Sequence, residues 1–181
     1  MSVAVLLYPG VSGHEALGAL AALRAAGVDA ELVALDALVP TAEGARVVPM
    51  RLGYATLDAA PALVVPGGDV ARVLHDAALA RALRARRGRW TLTGGDAVRL
   101  LGPLAESRRV AVPPGGEPPA GATASHARLV ADGRLLTCAG GDALVDLVLH
   151  YVARERGEDA ARRAAETLGR PLRTFAMGAG E

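Results

Sequence analysis

The chain alternates between short, unbroken apolar runs and longer stretches in which apolar residues return every three to four positions. Val3-Ala4-Val5-Leu6-Leu7-Tyr8 stops at Pro9-Gly10, and Ala62-Leu63-Val64-Val65 stops at Pro66-Gly67-Gly68. A run with no polar position on either parity predicts a strand covered on both faces, as in a parallel sheet. Between these runs, residues 15–26 place Leu17, Leu20, Ala21 and Leu23 at helical spacing, with Gly27 as the C-terminal stop. Further strands are predicted over 30–35, 90–93 and 109–112. The stretch 44–50 reads as a hairpin arm or an edge strand, because Pro49 would cost a central strand a ladder bond. Helices are predicted over 70–74, 77–87, 97–101, 142–156 and 158–168. The loop 113–119 is too rich in Pro and Gly for regular structure. Asp132-Gly133 between 127–130 and 134–137 predicts a hairpin. Strands alternating with helices predict one α/β domain with a parallel sheet wrapped on both faces. Its core is expected over about 2–168, and a tail, 169–181, carries little signal.

Composition narrows the picture only a little. Hydrophobic residues make up 51 % of the 181, but aromatic ones only 3 %, so the core must be built from Ala, Val and Leu. Twenty basic residues against 19 acidic give a net charge of +1. That balance predicts no nucleic-acid partner. The local cluster Arg81, Arg84, Arg86, Arg87 and Arg89 reads as a solvated helix end. No uncharged apolar run reaches the roughly 18 to 20 residues of a membrane span, and the start of the chain lacks the basic flank of a signal peptide. A cytoplasmic protein without membrane contact is expected. A single cysteine, Cys138, excludes an internal disulfide and a Cys-based zinc cluster. His75, His126 and His150 are scattered without metal-ligand spacing, and neither metal nor cofactor is expected.

In a parallel α/β sheet, ligands bind beyond the carboxyl ends of the strands. The loops at 10–15, 67–69, 93–96 and 138–142 leave such ends. Glu15 is a first-turn glutamate favoured by the helix dipole, or an acid–base group if buried. Gly67, Gly68, Gly94 and Gly95 supply tight turns and main-chain N–H groups that can line an anion or carbonyl pocket. Cys138 after a buried run is expected to be a small hydrophobe unless it reaches this pocket. His14, next to Glu15, is expected at the surface.

Four of these segments, in this order, resemble the ThiJ/PfpI superfamily. They are the opening 8–15 with its acidic residue, the strand and turn 63–68, the late hairpin 132–140, and the helix 141–150 carrying Asp146. The likeness spans roughly residues 2–168. It implies a flavodoxin-like parallel sheet sandwiched between helices in a single domain, related to class I glutamine amidotransferases, and a homodimer. In that family a cysteine occupies a sharp strand-to-helix turn, the nucleophile elbow, where a helix N-terminus and a neighbouring carboxyl group act on the sulfur. The corresponding segment here is Trp90-Thr91-Leu92-Thr93-Gly94-Gly95-Asp96. The nucleophile position falls on Leu92 or Thr93, with the spacing to Arg108-Arg109 favouring Thr93. The histidine that follows the next strand in many members is replaced by Pro113-Pro114. The resemblance therefore implies a dimer without the usual Cys–His pair, binding a small ligand or serving in stress. The alternative is a hydratase, lyase or hydrolase of altered mechanism, with Glu15 as acid–base and Thr93 as a tentative catalytic hydroxyl. No appended helix-turn-helix is seen, so a transcription regulator is not expected.

Overall fold

In the computed structural model, which describes residues 2–173, seven strands form one sheet. From one edge to the other they are β10 (Leu129–Asp132), β11 (Leu135–Cys138), β7 (Trp90–Gly94), β6 (Ala62–Val65), β1 (Val3–Leu6), β2 (Ala30–Ala34) and β5 (Arg51–Leu52). Every pairing is parallel except that of β10 with β11. β1 and β6 are buried at every position, as unbroken apolar runs require, and so are β7 and β11, with Thr91, Thr93 and Thr137 among their residues. β3 (Val39–Pro40) and β4 (Arg46–Val47) form a small antiparallel pair, and β8 (Arg109–Ala111) pairs in parallel with β9 (Thr123–Ser125).

One face of the sheet carries α1 (Gly13–Ala25), α4 (Asp142–Arg156) and α5 (Glu158–Thr167), which pack on one another. α1 rests on β1 and β2, and α4 on β7 and β11. The other side carries α2 (Ala55–Ala59), α3 (Ala77–Ala85) and a 3-10 segment, Gly95–Leu104, broken at Gly102 and Pro103. Val98, Leu101 and Ala105 there join Val110, Val112 and Leu135 in a second, smaller core. This is the flavodoxin-like α/β arrangement in a single domain.

Several expected elements shift. α1 begins two residues early, because Ser12 Oγ accepts the Glu15 N–H and caps it. The helix expected at 70–74 contracts to a 3-10 turn, Val70–Arg72, capped by Asp69. The one expected at 97–101 is 3-10 over a longer span, since Gly102 and Pro103 forbid a regular continuation. Within 44–50 only Arg46 and Val47 pair, in the hairpin rather than at the sheet edge, and β5 takes the edge instead. β9, three residues beyond a Pro- and Gly-rich loop, has no apolar pattern to announce it. Of the tail, residues 169–173 place Arg170 Nη2 2.7 Å from Asp146, while 174–181 lie outside the described residues.

The arginine cluster is not uniformly solvated. Arg86 is 0 % exposed and spans three segments. Its Nη1 donates to the carbonyls of Leu57 and, at 3.1 Å, Ala60, while Nη2 donates to Trp90 at 2.9 Å. Burial holds its pKa down to about 10, with the Arg89 charge adding to the drop, so it remains a cation at neutral pH. A guanidinium, with five N–H donors in a rigid fork, satisfies the three carbonyls from separate segments at once.

Candidate functional site

Beyond the carboxyl ends of β1, β6, β7 and β11, four loops meet around Glu15. The side chain is 6 % exposed. Its Oε2 accepts the Gly67 N–H at 2.7 Å, and its Oε1 the Gly141 N–H at 2.5 Å. One carboxylate thus ties the exit of β6 to the start of α4. The surrounding glycines are set by its bulk. A Cβ on Gly94 would lie 2.6 Å from Glu15 Oε2, one on Gly67 3.1 Å from both oxygens, and one on Gly140 3.3 Å from Oε1. Glu15 occupies the volume that side chains at these three positions would need. Gly68 serves a different need: a Cβ there would lie 2.7 Å from Ser12 N, where the loops before α1 and after β6 cross.

The sharp turn lies further along than the sequence suggested. β7 continues to Gly94, and Gly95, with φ +54, makes the turn into the 3-10 segment. The residue that makes the turn is therefore Gly95, two to three positions beyond Leu92 and Thr93. A Cβ on Gly95 would meet only ordinary contacts, the nearest being Gly140 Cα at 3.7 Å.

Strand parity separates Thr93 from Glu15. Leu135 packs in the smaller core, and Thr137 Oγ1 accepts the Ala111 N–H at 2.7 Å, so both face β8 and the 3-10 segment. The register pairs Leu135 with Thr91 and Thr137 with Thr93, which puts those threonines on the same side. Gly94 pairs with Cys138 on the opposite parity, the side from which α1 brings Glu15. Thr93 is fully buried and its hydroxyl has no hydrogen-bond partner among the described residues. The expected Glu15–Thr93 pair is not formed, because alternate residues of a strand point to opposite faces.

Cys138 does reach the neighbourhood. Its Sγ lies 3.5 Å from the point where a Gly94 side chain would begin, next to Glu15 on the other flank. The side chain is 1 % exposed. Burial pushes the thiol up to about 12; an N–H bond from Gly140 opposes the rise and the Glu15 charge adds to it. At neutral pH this sulfur is a protonated thiol.

The rim of the site is acidic. Asp69, Asp96 and Asp142 are exposed around the same strand ends. Tyr8, whose hydroxyl donates to the Pro66 carbonyl at 2.7 Å, has its pKa driven well above the usual phenol range by burial and then by Glu15, Asp69 and Asp96. His14 is exposed, as expected, and pairs with Asp142 at 3.0 Å, which lowers the aspartate's pKa. Sequence reading missed Glu43, whose Oε2 accepts the Gly13 N–H at 2.9 Å and whose Oε1 accepts from Ser12 Oγ at 2.9 Å. It also missed the partners of Asp146. This residue is 2 % exposed and pairs with Arg128 and Arg170, each at 2.7 Å. No local motif links Asp146 to Arg128 or Arg170, 18 and 24 positions away. Among the described residues no group of three or more His, Cys, Asp or Glu side chains is arranged to hold a metal, and no helix is long and apolar enough to cross a membrane.

The family model of the DJ-1/PfpI family matches residues 1–154. The chain belongs to the DJ-1/PfpI family. That is the family of the ThiJ/PfpI resemblance. No curated protein matches the sequence. Solved structures similar to this DJ-1/PfpI member include a cysteine-to-alanine mutant of a DJ-1 superfamily protein from Salmonella typhimurium. It is 28 % identical with a TM-score of 0.78, covering 94 % of this chain and 98 % of that one. Drosophila melanogaster DJ-1beta is 20 % identical, with a TM-score of 0.82, covering 94 % and 100 %. An AraC family transcriptional regulator from Pseudomonas putida is 22 % identical, with a TM-score of 0.80, covering 92 % and 98 %.

Proposed function

We propose that this DJ-1/PfpI protein binds a small polar compound at the carboxyl end of its sheet without thiol catalysis, and that it works as a homodimer. One observation carries the reading: the turn that would present a nucleophile is Gly94-Gly95, and the sulfur nearby among the described residues is a buried thiol with its pKa pushed up to about 12. A thiolate is the attacking species, and at pH 7 this cysteine supplies almost none. The carboxylates of Glu15, Asp69, Asp96 and Asp142 disfavour an anionic ligand and suit a neutral carbonyl-like or cationic one. The alternative hydrolase, lyase or hydratase would rest on Glu15 alone, since Thr93 faces the other side of the sheet.

An activated ester tests the reading. Wild type should show no burst of p-nitrophenol from p-nitrophenyl acetate, whereas Gly95→Cys, which places a thiol at the turn, should show a stoichiometric one. A wild-type burst that disappears in Cys138→Ala would overturn the proposal. Steady turnover of a small carbonyl compound, abolished by Glu15→Gln in a folded variant, would establish the alternative.

A further inference from the structure

At the other end of β7 from Gly94, a cavity of about 310 Å³ opens between the loop after α3, the end of the 3-10 segment and the start of β11. Five arginines line it, namely Arg86, Arg87, Arg89, Arg108 and Arg134, against one acidic side chain, Glu106. So strong an imbalance is not the chance of a basic protein, because the whole chain carries a net charge of only +1.

The arginines are held in place largely without being neutralised. Arg134 Nη1 donates to the Gly88 carbonyl at 3.0 Å, Arg87 Nη2 to Pro103 at 3.5 Å, and Arg86 to three carbonyls. Main-chain carbonyls orient the Arg87 and Arg134 guanidinium groups while leaving their charge and other N–H groups available, whereas the fully buried Arg86 adds charge alone. Arg108 alone has an ionic partner, Asp132 at 3.1 Å, and Arg89 makes no ion pair among the described residues. Like charges gathered this way repel, and a bound anion would relieve that cost.

Thr91 makes this a built site rather than a basic surface. It lines the cavity floor, is 2 % exposed, and its hydroxyl finds no partner among the described residues. A buried hydroxyl left unpaired is costly, and the missing acceptor fits an oxygen of a ligand. Ser107 on the rim is the one non-glycine residue with positive φ among the described residues, at +59. Pro103, Leu104 and Leu135 give the cavity an apolar wall.

We propose that this cavity is a binding site for a phosphorylated small molecule, its phosphate held by the arginines and the Thr91 hydroxyl and its organic part against the apolar wall. Phosphate matches the fork of several guanidinium groups better than a single carboxylate does. A volume of about 310 Å³ suits a compact phosphate ester rather than a polymer backbone.

Titration calorimetry with inorganic pyrophosphate as the probe, at fixed ionic strength in chloride, tests the assignment. One saturable site per chain is expected. Combining Arg89→Gln and Arg134→Gln should weaken it by about tenfold or more, and Thr91→Val should weaken it severalfold without lowering the thermal midpoint. Should the double variant fail to fold, Arg89→Gln alone decides, because that side chain holds nothing else among the described residues. Absence of saturable binding, or equal binding by wild type and Arg89→Gln, would overturn the proposal. So would a single-stranded oligonucleotide that binds more tightly than pyrophosphate and is not displaced by it.

Discussion

The Glu15 carboxylate accepts N–H bonds from loops that leave two different strands, so its removal leaves two main-chain donors unpaired at once. Glu15→Gln puts an amide NH₂ against one of those donors. It is expected to cost about 1–3 kcal/mol, read from the midpoint shift in urea unfolding; a shift under a few tenths of a kcal/mol would mean that the two bonds are dispensable. Cys138 should resist iodoacetamide in the folded protein and react fully in urea, because the thiol is both buried and protonated. Labelling of the native state as fast as free cysteine would contradict that. Sequence reading could place Glu15 and Cys138 near one another, since both follow buried strands that a parallel sheet brings together. It could not place Thr93, because a one-residue uncertainty in where β7 ends reverses the face of every side chain on it.

Helix entry is the second point at which charge and backbone are coupled. The free N–H of Gly13 and the hydroxyl of Ser12 both donate to Glu43, which lowers that carboxyl's pKa to about 2, the Gly13 bond being the largest cause. A folded pKa below the unfolded one gives stability that is complete above the unfolded value, near 4.5, and is lost as pH falls through about 2. Thermal midpoints of wild type and Glu43→Gln should therefore run parallel above pH 5 and converge between pH 4.5 and 2. Parallel curves down to pH 2 would remove Glu43 from the cap. At the C-terminal end of the next layer, Arg86 staples α2 to β7 through three carbonyls. Arg86→Ala should cost about 3 kcal/mol or more, measured by denaturant unfolding, and Arg86→Lys should recover only part of it. Apolar runs and spacing were enough to predict β1, β6, α4 and α5, because burial alone decides those elements. Arg86 looked like one more surface arginine, since its partners are main-chain atoms 4 to 29 positions away and carry no sequence signal.

Across the whole molecule the two ends of the sheet carry opposite character, carboxylates beyond Gly94 and arginines below Thr91. Five of the six exposed large apolar side chains among the described residues gather elsewhere: Leu35, Leu38, Val48, Met50 and Leu52 lie around β5 and the β3–β4 hairpin, while Leu17 stands apart on α1. An edge strand with an apolar fringe is a natural seat for a second copy. Light scattering should give a dimer for wild type and a monomer for Leu52→Lys combined with Met50→Lys; a monomeric wild type would refute the homodimer. The fold class was legible from the alternation of strand and helix, whereas the arginine-lined cavity was not. Its residues come from three separate stretches of chain, 86–91, 103–108 and 134–135, and only the finished sheet sets them side by side.

The space shared by Glu15 and its glycines also constrains how this protein can change over generations. A methyl group at Gly94 would lie 2.6 Å from Glu15 Oε2, so the two residues compete for one space. The two substitutions are therefore coupled: Gly94→Ala should cost more stability in wild type than in a background that already carries Glu15→Ala. In a lineage descended from this chain, a side chain at position 94 is gained most cheaply where the acid has already gone.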